Sequence, residues 1–404
     1  MAVIYPFAAL RPTPATVARV AAVPYDVVNS DEAAALAGDD PLSFLRVSRP
    51  EIECPPGTSI YSDEVYARAE DNFDRLRRAA PLVVEDVPSL YVYQLRMGAH
   101  VQTGVAACYS VDEYAHDLIK KHEKTRPDKE DDRTRHILAL RAQTGPVFLT
   151  YRASADVDAA VQTVTAGAPL FDFTAADGVR HVVWRLPEAA TSAVVTAFAA
   201  VPALYIADGH HRAASAWRTH QALAAEGPGE HERFLAVAFP DAQMQVLPYN
   251  RVVRDLYGMT AEMFTAALAS RCTITTGGPA TPAGKGRVAM YLGGQWSTLD
   301  FGAAPAELAL DASLDVSRLQ EVVLGPVLAI HDIRTDKRID FVGGIRGTAE
   351  IERLVDSGAF AVGFSLFPVS VSDLMRISDA GGIMPPKSTW FEPKLRDGVL
   401  SHLV

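Results

Sequence analysis

Short apolar runs alternate along the chain with longer amphipathic segments, and this pattern predicts a mixed α/β protein. Apolar runs of strand length predict strands at residues 90–95, 101–107, 147–151, 181–186, 203–207, 234–239, 288–292, 296–299 and 360–369. Segments with apolar residues three and four positions apart predict helices at residues 62–78, 112–142, 155–166, 188–200, 211–218, 260–270, 316–328 and 348–357. Links containing Gly98 and Gly293-Gly294 indicate two hairpins.

The most informative segment follows the run at residues 203–207, where an apolar strand breaks into Asp208-Gly209-His210-His211-Arg212. The residues from His211 onward predict a helix. A helix N-terminus that follows such a strand suits an anion, because free backbone N–H groups and the helix dipole both favour negative charge there. Arg212 adds a guanidinium shaped for phosphate or carboxylate. The alternative is an ordinary strand-to-helix turn with surface histidines.

Length and composition limit the choice of function. A chain of 404 residues predicts two domains. Its net charge of −11 argues against a non-specific nucleic-acid binder, which is usually basic. No apolar stretch reaches transmembrane length, and the N-terminus lacks the pattern of a signal peptide. The three cysteines form neither a zinc pattern nor a disulfide framework. We therefore expect a cytoplasmic protein without nucleic-acid or membrane partners.

A second group of charged residues lies between residues 120 and 136. A run of this kind usually forms a solvated helix with paired charges. Pro127 interrupts the helix, however, so these charges need not share one outer face. Glu123 is a candidate general base, and Asp132 is a candidate Mg²⁺ ligand because magnesium is usually held by one or two carboxylates and phosphate oxygens. The candidate phosphate ligands are Arg126, Lys129 and Arg133.

A third group, at residues 381–394, combines glycines, prolines and hydroxyl side chains near the C-terminus. Two prolines favour an extended loop that presents a cation and two hydroxyls, Lys387, Ser388 and Thr389. A P-loop offers similar groups to phosphate, but the glycine spacing of that motif is absent. The alternative is a proline-rich surface turn.

Together these segments resemble a large bacterial family long catalogued as a domain of unknown function. The resemblance covers nearly the whole chain. It depends on two proline-flanked segments and three boxes: Tyr5–Pro12, Pro24–Val28, His-Glu-Lys-Thr at 122–125, Ala-Asp-Gly-His-His-Arg at 207–212 and Met-Pro-Pro-Lys-Ser-Thr at 384–389.

Over Asp208–Ala213 the chain is also similar to the free L-serine kinases built on the ParB/sulfiredoxin fold, which make O-phospho-L-serine from serine and a nucleotide. This resemblance implies an α/β fold with a mixed sheet, in which a ParB/sulfiredoxin-like catalytic core carries large N- and C-terminal elaborations. We expect residues 1–250 to contain this core and the box at 122–125. Residues 251–404 are expected to form a second α/β region whose loop at 384–389 returns to the active site.

The activity that this resemblance implies is phosphoryl transfer to L-serine, with Mg²⁺ and with ATP or ADP as donor. Glu123 then removes the hydroxyl proton, and Asp208 orients the serine ammonium or a metal-bound water. His210 and His211 neutralise charge on the transferred group. The residues expected to bind nucleotide or phosphate are Gly209, Arg212, Arg126, Lys129, Arg133, Lys387, Ser388 and Thr389.

Two other functions remain as alternatives. A ParB-like regulator would bind and hydrolyse a nucleoside triphosphate without a small-molecule acceptor. A metal-dependent nuclease or hydrolase would use Asp208, His210 and His211, but no third imidazole lies at ligand spacing.

Overall fold

The structure is a computed structural model that describes residues 2–79 and 82–404, and the chain divides into two compact units. The first unit comprises Met1–Lys121, Thr125–Met244 and Pro393–Val404, and the second comprises His122–Lys124 and Gln245–Glu392. The C-terminal segment from Pro393 therefore belongs to the first unit. The division into domains 1–250 and 251–404 stays a prediction.

The helices are short to medium in length, and most carry one buried face. They are α1 Val17–Val20, α2 Ser30–Ala37, α3 Leu45–Ser48, α4 Asp63–Ala79, α5 Val111–Ala115, α6 Pro127–Leu140, α7 Ala155–Thr165, α8 Glu188–Ala199, α9 His210–Leu223, α10 Ala261–Ala269, α11 Asp315–Leu319, α12 Gly347–Asp356 and α13 Val371–Asp379. Among the described residues, no helix combines the length and the apolar character that crossing a membrane requires.

The strands range from two-residue bridges to the long central strands of each unit. They are β1 Ile4–Tyr5, β2 Leu10–Arg11, β3 Val83–Val84, β4 Tyr91–Met97, β5 His100–Ser110, β6 Ile119–Lys120, β7 Ala142–Gln143, β8 Val147–Tyr151, β9 Phe171–Thr174, β10 Arg180–Arg185, β11 Leu204–Asp208, β12 Arg233–Pro240, β13 Gln245–Leu247, β14 Tyr249–Val253, β15 Thr273–Thr276, β16 Arg287–Leu292, β17 Gln295–Asp300, β18 Ile339–Gly343, β19 Val362–Leu366, β20 Trp390–Glu392 and β21 His402–Leu403.

The first unit is built on a mixed nine-stranded sheet. Its strands follow the order β6-β11-β8-β12-β5-β4-β10-β9, and β1 pairs with β5. The pairs β6–β11 and β8–β12 are parallel, while the other neighbours are antiparallel. Apolar residues of the central strands and of α7, α8 and α9 form one core. β11 lies between β6 and β8, and its C-terminal residues Ile206 and Asp208 pair with β8, which places the start of the following helix.

Helix α9 packs against α6 within the first unit. The buried face of α9 includes the small residues Ala213, Ala214 and Ala216, which permit a close approach. The hydroxyl of Ser215 donates to the carbonyl of Glu130 on α6 at 3.1 Å. These contacts fix the position of α9 relative to α6.

The second unit contains an antiparallel six-stranded sheet in the order β15-β17-β16-β19-β14-β18. The hairpin β16–β17 turns at Gly293 and Gly294, which both have positive φ. Its core includes Val252, Ile351 and Phe360. A separate pair, β13–β20, lies at the two chain ends of this unit.

The predicted mixed α/β class is confirmed, as are both predicted hairpins. The charged region at 112–142 is not one helix: α5 and α6 flank β6 and an irregular segment, because Pro127 is tolerated only in the first turn of a helix. The predicted helix at 316–328 is α11 followed by a π-helical turn at Gln320–Leu324. The predicted strand at 360–369 is the shorter β19.

Gly104 in β5 leaves no room for a side chain. A Cβ at this position would lie 2.6 Å from the carbonyl oxygen of Ala238 and 2.8 Å from the ring of Phe239, both on β12. We expect Gly104→Ala to lower the free energy of unfolding by roughly 1–3 kcal/mol, because the added methyl overpacks the sheet. Urea unfolding followed by circular dichroism measures this change. Gly284→Ala is the control, since a Cβ there meets no atom within 4 Å; equal losses in the two variants would contradict the steric explanation.

Candidate functional site

A helix start without a side-chain cap lies at the end of β11 in the first unit. Between Ile206 and Asp208 the pairing of β11 with β8 shifts register, a local irregularity that redirects the end of the strand. Gly209 follows with φ 90° and ψ 30°, a left-handed conformation that glycine adopts without strain. It is the N-cap of α9, and no described side chain caps the first turn. The N–H groups of this turn and the helix dipole therefore favour an anion.

Arg212 folds back over this turn. A Cβ on Gly209 would lie 3.0 Å from the guanidinium carbon of Arg212, so any other residue there would have to displace this guanidinium. The Arg212 side chain is 10% exposed, and it donates to the carbonyl of Pro146, ahead of β8. The carboxylates of Asp26 and Asp208 each lie 3.9 Å from its Nη2. Burial opposes the charge, but these carboxylates outweigh burial and raise the pKa of Arg212. Arg212 is therefore a buried cation with fixed partners within the protein rather than an exposed guanidinium.

Asp208 has a partner on each carboxylate oxygen. Its Oδ1 accepts the N–H of Gly209 at 2.9 Å, and its Oδ2 accepts from the Nζ of Lys394 at 2.8 Å. Burial by itself would raise the pKa of Asp208, but Lys394 and Arg212 more than compensate and hold this pKa well below its usual range. Asp208 is therefore ionised at neutral pH, and Lys394 places a cation beside the start of α9.

His211 ties the start of α6 to the start of α9. Its Nε2 accepts the main-chain N–H of Arg126 at 3.1 Å, so this nitrogen carries no proton. Burial also lowers the pKa of His211. His211 is therefore a neutral imidazole, and the expectation that it neutralises phosphate as a cation is corrected to a hydrogen-bonding role. His210 is buried in the first turn of α9.

The cations at the start of α6 and within it that were expected to bind phosphate differ in their surroundings. Arg126 is exposed and pairs with Asp128 at 2.7 Å. The Nζ of Lys129 lies 5.6 Å from the ring centroid of Tyr61. Arg133 is the deeply placed member, with a side chain only 11% exposed. Arg126 is thus an exposed cation and Lys129 a half-buried one, whereas Arg133 has an internal partner.

That partner is Asp132, which lacks the open oxygens that a magnesium ligand needs. Its Oδ1 accepts from the hydroxyl of Tyr66 at 2.8 Å, and its Oδ2 is 2.8 Å from the Nη2 of Arg133. The guanidinium of Arg133 also lies 4.2 Å from the ring centroid of Tyr25. Burial would raise the pKa of Asp132, but Arg133 and Tyr66 outweigh burial and lower it. The residues present form a closed ion-pair network, and the expected Mg²⁺ role does not fit Asp132.

A small cavity lies beside Arg212. Its volume of about 40 Å³ holds about three water molecules, which is too little for a nucleotide. Tyr25, Arg133, Arg212 and Asp397 are among its lining residues. Asp397 is 3% exposed, and its Oδ1 has no hydrogen-bond partner among the described residues. Burial raises the pKa of Asp397 to about 7, although Arg212 opposes the shift. This carboxyl therefore titrates near neutral pH.

Two of the sequence-predicted boxes meet in the second unit. Glu123 lies in the short segment His122–Lys124, and the carbonyl of His122 accepts the N–H of Met384 at 2.8 Å. The boxes at 122–125 and 384–389 are therefore joined by a main-chain hydrogen bond although they are far apart in the chain.

Three side chains of the loop at 384–389 were expected to bind phosphate. Lys387 is exposed and Thr389 is half-buried. Ser388 is buried, and its hydroxyl donates to the carbonyl of Pro385 at 2.6 Å. Ser388 therefore stabilises the loop, while Lys387 is the exposed member of the three.

Four residues of the first unit's site had no role assigned from the sequence: Tyr25, Asp26, Lys394 and Asp397. Asp26 and Tyr25 lie in the segment Pro24–Val28, so that segment was a usable signal. Lys394 and Asp397 come from the C-terminal part of the chain, and no local pattern shows that this part joins the first unit.

Comparison with known proteins places the sequence in one family. A family model described as "Protein of unknown function (DUF1015)" matches residues 4–317. No curated protein matches the sequence at a significant level.

Several solved structures resemble the chain at low identity. A conserved hypothetical protein from Pyrococcus furiosus is 15% identical, with 74% of this chain and 95% of that chain covered and a TM-score of 0.37. A free serine kinase in complex with AMP is 13% identical, with coverage of 72% and 91% and a TM-score of 0.36. C-terminally truncated SbnI from Staphylococcus aureus is 14% identical, with coverage of 72% and 85% and a TM-score of 0.40. At TM-scores of 0.36 to 0.40 these similarities establish neither a shared fold nor a shared activity.

The raised pKa of Asp397 predicts a pH-dependent loss of stability. A carboxyl that holds its proton more tightly when folded stabilises the protein at low pH, and this stabilisation is lost as the pH rises from about 4 to about 7. We compare the free energy of unfolding of Asp397→Asn with that of the unsubstituted protein. We expect this difference to favour the variant by roughly 1–3 kcal/mol more at pH 8 than at pH 5. Urea unfolding at both pH values measures this gain. Asp74→Asn, at an exposed carboxyl of α4, is the control and should not reproduce it. If the difference in stability between Asp397→Asn and the unsubstituted protein is the same at both pH values, the pKa of Asp397 is not raised.

Proposed function

Because the chain belongs to the family described as "Protein of unknown function (DUF1015)", whose description assigns no activity, we propose a function from the residues of this chain. It is a phosphotransferase that moves a phosphoryl group from ATP or ADP to the hydroxyl of free L-serine and releases O-phospho-L-serine. In this proposal the first unit contains a ParB/sulfiredoxin-like core. Its phosphate-binding turn consists of the end of β11, Gly209 and the start of α9.

The start of α9 is the observation that carries this proposal. An interior strand ends at a turn that requires glycine, and the helix then begins with no described side chain as its cap. Phosphate oxygens bind at such helix starts because they accept N–H groups that have no partner within the helix. Lys394 adds a cation at the same point, 2.8 Å from Asp208. A bound phosphate competes with Asp208 for this cation.

Phosphoryl transfer needs positioning and charge stabilisation more than covalent help from the protein. The serine hydroxyl oxygen forms a bond to phosphorus while the bond from phosphorus to the bridging oxygen of the nucleotide breaks. ADP or AMP leaves with the electron pair of that bond, and the hydroxyl proton passes to a carboxylate, which we assign to Glu123. The N–H groups of the first turn, Lys394 and Arg212 stabilise the phosphoryl oxygens. His210 and His211 complete the polar surroundings, the latter as a neutral imidazole.

An amino-acid acceptor requires protein groups of both signs. Asp26 and Asp208 lie 3.9 Å from the guanidinium of Arg212, so carboxylates and a cation are available side by side in the first unit. A carboxylate can hold the serine ammonium, and a cation can hold its carboxylate. Mg²⁺ would be held by the phosphates of the nucleotide rather than by Asp132, since both oxygens of Asp132 have protein partners.

The reaction itself provides the first test. Incubation with L-serine, Mg²⁺ and either ATP or ADP should produce O-phospho-L-serine in an amount equal to the donor consumed. Phosphorus NMR follows both compounds, and a sample without serine is the control. Consumption of nucleotide with no phosphoserine would contradict the kinase activity and would favour the nucleotide-hydrolysing regulator instead.

The role of Glu123 provides the second test. Glu123→Gln removes the proton acceptor but keeps the size of the side chain, so kcat should fall by about 10²- to 10⁴-fold while nucleotide affinity is retained. Steady-state kinetics and isothermal titration calorimetry measure the two effects separately. Glu64→Gln, at an exposed glutamate of α4, is the matched control and should leave both quantities unchanged. An unchanged kcat in Glu123→Gln would exclude Glu123 as the base.

A further inference from the structure

One loop of the second unit, residues 381–389, is held at several points. The N–H of Met384, itself buried, donates to the carbonyl of His122 at 2.8 Å. The hydroxyl of Ser388 donates to the carbonyl of Pro385 at 2.6 Å. The loop runs directly into β20, which pairs with β13. These anchors fix the main chain that carries one exposed side chain between them.

That side chain belongs to Lys387, which has a left-handed main chain with φ 58°. This conformation costs a lysine free energy that glycine does not lose. Glycine at this position would therefore make an easier turn, so the turn itself does not explain a lysine. What lysine adds is its ammonium, whose Nζ lies 5.2 Å from the ring centroid of Tyr249.

Arg251 binds the main chain of Lys387 from the interior of the unit. It is 1% exposed, its Nη2 donates to the carbonyl of Lys387 at 3.0 Å, and its Nη1 donates to the carbonyl of Tyr249. In the described part of the chain no carboxylate forms an ion pair with it, and burial lowers its pKa to about 10. A guanidinium buried without a carboxylate is costly. Here its hydrogen bond fixes the strained lysine of the loop.

We infer that Arg251 is a positioning residue, which holds Lys387 so that its ammonium binds a phosphate of the nucleotide. This inference rests on the proposed phosphotransferase function. The guanidinium of Arg251 donates to the carbonyl of Lys387, so two cationic residues meet at one peptide unit, and a pair of cations suits a di- or triphosphate better than a single carboxylate. Lysine binds phosphate as a point charge.

Substitutions at Lys387 separate the charge from the backbone. Lys387→Gly removes both the ammonium and the left-handed strain, so the urea midpoint should rise or stay equal while the Kd for ADP increases about tenfold or more. Lys387→Arg keeps the charge and should retain most of the affinity, whereas Lys387→Gln should lose it. Isothermal titration calorimetry with ADP at two ionic strengths measures this, and added salt should weaken ADP binding more in the unsubstituted protein than in Lys387→Gly.

Ala329→Gly is the matched control in the same unit. Ala329 has φ 52°, and its carbonyl accepts from the Nη2 of Arg338 at 3.2 Å, so it repeats the backbone geometry of Lys387 without an ammonium. Ala329→Gly should leave the affinity for ADP unchanged. If Lys387→Gly also leaves that affinity unchanged, Lys387 serves only the turn and the inference is wrong.

A double-mutant cycle tests the role of Arg251. Arg251→Lys keeps a buried cation but loses the planar fork that binds two carbonyls at once. As a single substitution, Arg251→Lys should weaken ADP binding. Added to Lys387→Gly, it should have no further effect, because Arg251 acts through Lys387. Additive losses would overturn the positioning role. If Arg251→Lys does not fold, the test is the affinity of Lys387→Gly for ADP. An unchanged affinity in that variant overturns the inference.

The inference and the proposed function can fail separately. If no phosphoserine forms but ADP binding depends on Lys387, the serine kinase activity is excluded and the inference stands. If the unsubstituted protein binds neither ADP nor ATP, the inference is overturned. A protein that makes phosphoserine and binds ADP equally well with Lys387→Gly would retain the proposed function and lose the inference.

Discussion

The packing of the Arg212 guanidinium against the α-carbon of Gly209 is the contact on which the candidate site depends. A Cβ at position 209 would lie 3.0 Å from that guanidinium and would occupy a backbone with φ 90°. With glycine there, one arginine links the turn after β11 to Pro146 ahead of β8, and the start of α9 keeps no described capping side chain. Strand, turn and helix start are thus positioned by contacts within the protein. Such preorganisation lowers the cost of binding a phosphate.

Charge in the first unit is arranged as alternating partners rather than as a positive patch. Asp208 lies between Lys394 and Arg212, and Arg212 in turn faces Asp26. In the proposed function an incoming phosphate competes with carboxylates for the same cations, and its affinity is the difference between the two sets of contacts. The second unit is built differently, because Arg251 is buried against main-chain carbonyls and its charge has no carboxylate partner in the described residues.

Much of the secondary structure was predictable from the sequence. The spacing of apolar residues and the positions of glycine and proline depend on the local conformation of the chain. Residues 203–218 were expected to form a strand, a turn and a helix, and β11, Gly209 and α9 lie there. Arg212 and Lys387 were also recognisable as charges near turns. The partners of Asp132 were not predictable from the pattern, since Tyr66 comes from a different helix. The neutral state of His211 was likewise hidden, because it depends on a hydrogen bond from Arg126.

By itself the sequence determined the mixed α/β class, the glycine hairpins and the strand–glycine–helix turn at Gly209, because each depends on residues a few positions apart. Only the tertiary structure decided that Lys394 pairs with Asp208 across 186 residues and that Arg251 binds the main chain of Lys387 across 136 residues. It also decided that Asp397 is buried beside Arg212. The physical reason is that contacts over such separations follow from how whole sheets and helices pack, and no local pattern of residues specifies that packing.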